Sequence, residues 1–238
     1  MDAEVPQLLA YAQTVPRDDD LLWRRLDEYV RRDPRKALLA GLDLLTSPDP
    51  ARREFATSLV GIAGQIDQTL RPSCASRLRQ ALEDEIEAGP ISAAIIQLGN
   101  LADESAHEAI LAHLEHPDPL VRHAVAVALP TVGLNEPALA AALSFLTTDI
   151  DDDVRDWATF GLAELTDADD ERVRQALLAR AKDTAYETRV EAIVGLARRQ
   201  DERVRPHLAR ELAEPDHAEA LDWATGYLET GSERRRFG

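Results

Sequence analysis

Cysteine and aromatic residues are scarce in this chain, and long apolar runs are missing. The single cysteine, Cys74, excludes an intramolecular disulfide and a cysteine-rich metal site. No segment approaches the roughly 20 uninterrupted apolar residues that span a bilayer, and the first residues lack the pattern of a signal peptide. We therefore expect a cytoplasmic protein. Aromatic residues make up only 5% of the chain, and an apolar fraction dominated by Ala and Leu favours packed helices over strands.

Positive charge is also in short supply. Lys and Arg number 27 against 44 Asp and Glu, which gives a net charge of −17, and Lys36 and Lys182 are the two lysines. A field of this sign repels phosphate backbones and anionic lipid head groups, so we expect neither nucleic acid nor a membrane as a partner. The same field attracts basic proteins and peptides, although acidity can also serve solubility alone.

An internal repeat is the feature that the chain has in abundance. Its copies lie at 48–56, 116–124, 151–158 and 184–192. The arginines Arg122, Arg155 and Arg189 recur at intervals of 33 and 34 residues. A period in this range is typical of stacked helical repeats, in which each unit buries its apolar face against its neighbours.

Helix breakers and apolar periodicity together predict antiparallel helix pairs, and therefore an all-α superhelix or solenoid. The predicted pairs are 34–46 with 50–63, 73–88 with 91–101, 104–115 with 119–132, 135–147 with 152–165, 170–182 with 186–198, and 202–213 with 217–229. Segments 4–14 and 19–32 are expected to open the array. This gives an N-terminal helical cap over 1–33, a repeat array over 34–230 and a disordered basic tail over 231–238, within a single structural domain.

Acidic clusters and prolines mark the expected helix starts. Asp151 to Asp153, and Asp167, Asp169 and Asp170, stand where a carboxylate can accept amide hydrogen bonds at the positive end of a helix. Pro50 and Pro119 stand where a first-turn proline is tolerated.

The segment Asp-Pro-x-Val-Arg-x-x-Ala, which opens the second helix of a pair, resembles HEAT-type repeats, in particular the short variety of phycobilisome-lyase-like proteins. The resemblance covers most of residues 34–229, and tetratricopeptide or ankyrin signatures are not seen. It implies that the repeated Asp and Arg form a structural ladder between adjacent repeats. The arginines assigned to this scaffold are Arg53, Arg122, Arg155 and Arg189.

Histidines and aspartates are the best candidates for a metal site in this sequence. His107-Glu108 resembles the His-Glu pairs of HEAT-built deoxyhypusine hydroxylases, but such a di-iron site needs several pairs. His113, His116 and His123 could approximate a metal cluster, although histidines in the last turn of a helix also complement its negative end.

Other chemical patterns are incomplete. Asp149-x-Asp151-x-Asp153 resembles a calcium loop, but Val154 and Phe160 replace its required Gly and Glu. A basic groove like that of HEAT-like DNA glycosylases conflicts with the net charge, and no Gly-rich phosphate loop is present. We therefore predict no catalytic residue, no metal site and no cofactor.

The second helices line the concave surface in this repeat family, so the residues just after each repeated arginine, and one turn further on, are expected there. They are Glu54, Phe55, Ser92, Ile96, His123, Val127, Asp156, Trp157, Phe160, Glu191, Val194, Asp222 and Trp223. The row is acidic, contains large apolar groups and has no Lys or Arg. Carboxylates beside Trp suit the capture of Arg or Lys. Trp157 and Trp223 could instead fill gaps between repeats, and Trp23 is expected in the core of the cap.

These features predict a non-enzymatic scaffold or adaptor whose acidic concave face binds a basic protein or peptide. One concrete version is a regulator or immunity-like inhibitor of a basic effector. Two alternatives stay open. The resemblance implies a lyase or lyase-accessory subunit acting on a tetrapyrrole-bearing protein, and the repeat array alone would suit a structural spacer in a larger complex.

Overall fold

The computed structural model describes residues 4–133, 136–214, 221 and 224–228. Within these residues the regular secondary structure is entirely helical, which confirms the predicted all-α class. None of the described helices is both long enough and apolar enough to cross a membrane. The chain divides into two compact units, Met1–Gly133 and Leu134–Gly238. The predicted boundaries at residues 33 and 230 stay predictions, and the basic tail 231–238 lies outside the described residues.

The first unit contains the predicted opening pair and the helices that follow it. Its helices are α1 (Glu4–Ala12), α2 (Asp20–Arg32), α3 (Pro34–Leu44), α4 (Pro50–Ile66), α5 (Arg71–Asp84), α6 (Ala88–Asn100), α7 (His107–Leu111) and α8 (Pro119–Ala128), with 3-10 turns at Glu104–Ala106 and Leu129–Thr131. Helix α5 ends four residues earlier than predicted. The Glu85 carboxylate turns the chain there, because it accepts hydrogen bonds from the amides of Ile86 and Glu87.

The second unit continues the same alternation of first and second helices. Its helices are α9 (Glu136–Leu146), α10 (Asp152–Glu164), α11 (Glu171–Arg180), α12 (Tyr186–Arg198) and α13 (Arg205–Leu212), with a 3-10 turn at Glu202–Val204. Residues 224–228 are also helical, which agrees with the last predicted second helix.

Local capping explains where the second helices α4, α8 and α10 begin. Asp49, Asp118 and Asp151 each accept a hydrogen bond from a backbone amide in the first turn that follows. Pro50 and Pro119 occupy the first helical position, as predicted. These contacts satisfy amide groups that the helix itself leaves without a partner.

Second helices stack directly on one another within each unit, α4 on α6 on α8 in the first and α10 on α12 in the second. Small residues make this approach possible. A Cβ atom added at Gly195 would lie 2.6 Å from the Cβ of Ala163, and one added at Gly99 would lie 2.9 Å from the Cβ of Ala128. The buried Ala, Leu and Val side chains of these helices form the core of each unit.

The repeated arginines form the predicted ladder. Nη1 of Arg155 donates to the carbonyl oxygens of Asp149 and Ile150, at 2.9 and 3.1 Å. The corresponding contacts, to the carbonyls six and five residues earlier, recur at Arg53, Arg122 and Arg189. Each arginine therefore fixes the loop that precedes its own helix.

The other edge of the guanidinium reaches the next repeat. Nε and Nη2 of Arg155 donate to both carboxylate oxygens of Asp183, at 3.1 and 3.2 Å. Arg53 holds Glu85 and Arg189 holds Glu211 in the same bidentate way. Burial alone would raise the pKa of Asp183, but the hydrogen bonds from Arg155 and from the Ala185 amide outweigh it, so this pKa lies below its ordinary value.

A second ladder, which the sequence analysis missed, joins first helices to the loops after second helices. Arg79 on α5 pairs with Asp103, and Arg174 on α11 pairs with Asp201. The residue before each of these aspartates, Ala102 or Gln200, has a positive φ of 48° or 55°. Both units therefore turn from a second helix into the next repeat with the same backbone device.

Candidate partner-binding surface

The first unit has a groove between its N-terminal helices and its second helices. The cavity has a volume of about 490 Å³. Of the residues predicted to face a partner, Glu54, Phe55, Ser92 and Ile96 line it. Leu22, Trp23 and Leu26 of α2 form part of the opposite wall. We call this cavity the N-terminal groove.

A cation already occupies the acidic position of this groove. Nε and Nη2 of Arg17 donate to the two carboxylate oxygens of Glu54, at 2.6 and 3.1 Å. The pair lies over Gly89, where an added Cβ would collide with the Glu54 carboxylate. The second helices contribute no Lys or Arg here, but the segment between α1 and α2 does. The predicted row of residues has no Lys or Arg, but Arg17, which lies outside that row, pairs with Glu54.

Trp23 lines the groove and is not a core residue. It is 38% exposed, and its indole Nε1 donates to the Arg17 carbonyl at 2.7 Å. The prediction that Trp23 is buried in the cap was wrong, because α2 turns its Leu22 and Leu26 face inward and leaves Trp23 at the rim. The indole thus positions the backbone of the residue that pairs with Glu54.

The second unit carries an open aromatic surface at the corresponding place. Trp157 on α10 is 41% exposed, and its ring meets that of Phe160 edge-on, with centroids 5.8 Å apart and planes at 84°. Trp157 is therefore not buried between repeats, and its role in binding a partner stays a prediction. We call Asp156, Trp157 and Phe160 the acid–aromatic patch.

Asp156 sits half-buried in an acidic environment. Its carboxylate accepts a hydrogen bond from the Thr188 hydroxyl at 3.3 Å. Burial is the main cause that raises its pKa above the ordinary value, and the nearby charges of Glu187, Asp153 and Asp183 raise it further, against the Thr188 hydrogen bond. A half-buried carboxylate among other carboxylates is a place where a cation would be stabilised.

The other predicted surface residues have mixed positions. His123 and Val127 on α8 and Glu191 on α12 are partly exposed. Phe55 is 5% exposed and forms part of the groove wall. Val194 is fully buried, so its assignment to the surface was wrong; α12 packs against both α10 and α11, which covers that side of the helix. Asp222 and Trp223 lie outside the described residues.

The histidines and the aspartate series are accounted for by local contacts. His107 Nδ1 lies 2.7 Å from the Glu104 carbonyl, and His116 Nδ1 accepts a hydrogen bond from the Asp118 amide. Asp151 caps α10, as the capping interpretation of the calcium-like series predicted. Within the described part of the chain, no group of three or more potential ligands is arranged to hold a metal ion.

Comparison with known proteins identifies the repeat. The family of HEAT repeats matches residues 75–163. Residues 75–163 are HEAT repeats. The resemblance first seen in the ladder segments is thereby confirmed for this stretch, which includes Arg122 and Arg155, while the phycobilisome-lyase-like variety stays a prediction.

Similar proteins include protein YibA of Escherichia coli strain K12, which is 36% identical over 92 residues. That alignment covers 39% of this chain and 32% of YibA, so it spans about a third of the relative's length; YibA of Escherichia coli O157:H7 gives the same figures.

Solved structures extend the likeness of the fold. The crystal structure of Escherichia coli YibA superposes with a TM-score of 0.74 at 21% identity and covers 96% of this chain and 87% of that one. A crystal structure of an engineered protein gives a TM-score of 0.59 at 20% identity, over 83% of this chain and 95% of its own. At these identities the structures show a shared fold alone, that of a HEAT-like helical repeat.

Proposed function

We propose that this HEAT-repeat protein is a non-enzymatic binding scaffold, and that the exposed face of its second helices binds a basic protein or peptide. The observation that carries the proposal is the acid–aromatic patch, where an exposed Trp157 follows the half-buried Asp156 on α10. Tryptophan supplies contact area and a cation-binding ring, and the carboxylate supplies charge.

Charge on the neighbouring positions supports a basic partner. Asp153 and Glu187 lie near enough to Asp156 to raise its pKa, and Glu191 follows Glu187 one turn later on α12. The ladder arginines do not cancel this charge, because Arg155 and Arg189 are bound to Asp183 and Glu211. A basic segment crossing α10 and α12 would therefore meet the negative charges of Asp153, Asp156 and Glu187, which lie close together.

A defined peptide tests this proposal. We would measure the fluorescence anisotropy of a labelled peptide of alternating Gly and Arg on titration with the protein, at low and at moderate salt, beside a Gly-Glu peptide. Wild type should bind the basic peptide, more weakly at moderate salt because ions screen exposed charges. The double variant Asp156→Lys with Trp157→Ala should bind it at least about tenfold more weakly.

A matched charge reversal controls for net charge alone. Glu83 is exposed on α5 in the first unit, so Glu83→Lys should leave the affinity within about twofold of wild type. Circular dichroism would confirm that each variant keeps its helix content. Equal affinity in wild type and in the double variant, or equal binding of the acidic peptide, would overturn the proposal.

A further inference from the structure

The two units contain the same arginine–acid–aromatic sequence at the start of a second helix. It is Arg53-Glu54-Phe55 on α4 and Arg155-Asp156-Trp157 on α10. Both arginines bind the carbonyls six and five residues before them and a carboxylate of the next repeat. Glu54 and Asp156 therefore hold the same position on their helices relative to the ladder arginine. The surroundings of the two acids can be compared directly.

In the first unit this acid shows what it binds. Glu54 binds the guanidinium of Arg17 through two hydrogen bonds, one to each carboxylate oxygen, which is the bidentate pairing common between carboxylates and arginine. The residues come from segments 37 positions apart, so the contact is tertiary and is not imposed by one helix. Phe55 and Trp23 line the groove beside this pair.

In the second unit the same acid has no such cation. Among the described residues no arginine or lysine pairs with Asp156, whose hydrogen-bond donor is the Thr188 hydroxyl. The aromatic residue is also more open, since Trp157 is 41% exposed where Phe55 is 5% exposed. The site thus keeps the acid and the aromatic ring of the first unit, in an accessible form.

We propose that Asp156, Trp157 and Phe160 bind the guanidinium of an arginine side chain of the partner, in the way that Glu54 binds Arg17. This inference rests on the proposed function and narrows it from a basic partner to an arginine at a stated position. Arginine is favoured over lysine because its planar fork matches both carboxylate oxygens and its flat face stacks on an indole.

Nuclear magnetic resonance of the indole N–H groups can test the site directly. The Trp157 signal is assigned with a Trp157→Phe variant. Wild-type protein is then titrated with N-acetyl-arginine amide and, separately, with N-acetyl-lysine amide. The arginine compound should shift the Trp157 signal with a dissociation constant in about the millimolar range, as expected for so small a ligand. The lysine compound should bind at least about threefold more weakly.

Two variants complete the test. Asp156→Asn removes the charge and keeps the shape, and it should lower the affinity for the arginine compound by about tenfold. Glu214→Gln removes an exposed carboxylate elsewhere in the same unit and should leave that affinity within twofold.

The outcomes separate this inference from the proposed function. Equal binding of the arginine and lysine compounds, or no loss in Asp156→Asn, would overturn the arginine site but leave a scaffold for basic partners. The same holds if neither compound shifts Trp157 while the Gly-Arg peptide still depends on Asp156 and Trp157. If the peptide also fails to bind, both proposals are wrong.

Discussion

Glu54 and Asp156 follow equivalent ladder arginines, yet their carboxylates have different partners. Glu54 is neutralised by Arg17 of its own chain, whereas Asp156 accepts a threonine hydroxyl and lies among other carboxylates. The scaffold under both residues is the same. The difference shows that the repeated arginines fix the position of the acid on its helix. Whether a cation of the same chain pairs with that acid depends on a separate segment, which in the first unit is the segment that contains Arg17.

The largest expected effect comes from removing the scaffold beneath the open site. Arg155 and Asp183 are 10% and 4% exposed, so Arg155→Ala removes a bidentate partner from a buried carboxylate and leaves it the single ion pair with Arg180, at 2.9 Å. We expect a loss of about 3 kcal/mol in the free energy of unfolding, which lowers the melting temperature by about 6–12 °C. Arg53→Ala should cost less, because Arg53 and Glu85 are more exposed.

Thermal unfolding followed by circular dichroism checks this prediction. Arg52→Ala serves as the control, since Arg52 is exposed beside the ladder position and makes only a 3.8 Å pair with Asp49; it should change the melting temperature by about 1 °C or less. A melting temperature of Arg155→Ala that equals that of the control would contradict a structural ladder.

A smaller, stabilising effect is expected at the turn that the two units share, in which Ala102 or Gln200 has a positive φ. Ala102 has a positive φ, so Ala102→Gly should relieve strain and stabilise the protein by about 1 kcal/mol, or about 2–4 °C in melting temperature. Gln200→Gly should gain less, because Gln200 also donates hydrogen bonds to the Ala197 and Tyr227 carbonyls. Calorimetry of both variants would measure this; a destabilised Ala102→Gly would refute the shared turn.

The two acids themselves should respond with opposite signs to loss of their charge. Glu54→Gln weakens the partly exposed pair with Arg17 and should lower the melting temperature by about 1–2 °C at neutral pH. Asp156→Asn removes a carboxylate that its surroundings disfavour and should raise it by about 1–2 °C. Changes of the same sign, measured side by side, would break the comparison.

The smallest effect is the pH dependence of that gain. The pKa of Asp156 is raised in the folded protein, so its charged form costs stability at neutral pH, and this cost disappears as the pH falls through that pKa. The stability gained by Asp156→Asn should therefore shrink on acidification.

Asp183 should have the opposite effect on stability, because its pKa is lowered in the folded protein. Its pairing with Arg155 stabilises the fold above the unfolded pKa, and this stabilisation is lost as the pH falls through the folded pKa. Melting curves from about pH 7 to about pH 2.5 would show both trends, because this range includes the ordinary Asp pKa of about 3.9 and the region below it. An advantage of Asp156→Asn that is constant over this range would contradict the first trend.

Much of the fold could be predicted from the sequence, because it is local or periodic. Capping aspartates, first-turn prolines and the repeated arginine depend on neighbours within a few residues, and the structure confirms them. The candidate site was harder. Arg17 and Glu54 are 37 residues apart, and no repeated sequence pattern predicts their pairing. The second ladder, formed by Arg79 and Arg174, lies outside the repeated segment.

Two errors have the same physical origin. Trp23 was expected in the core and Val194 on the surface, and both assignments fail because helical angle alone does not say which side of a helix its neighbours cover. Helix α2 lies at the rim of a groove, while α12 is covered by two others. Tertiary packing therefore decides exposure where the apolar stripe has no sharp border.

The most direct test of the comparison is to empty the occupied site and ask whether it then behaves like the open one. The Arg17→Ala variant and wild type are each titrated with N-acetyl-arginine amide while the indole signals of Trp23 and Trp157 are followed. We predict that, of these two signals, only Trp157 shifts in wild type, and that both shift in Arg17→Ala because the ligand takes the place of Arg17 on Glu54. A Trp23 signal that stays unmoved in Arg17→Ala, or a Trp157 signal that stays unmoved in both proteins, would contradict the account.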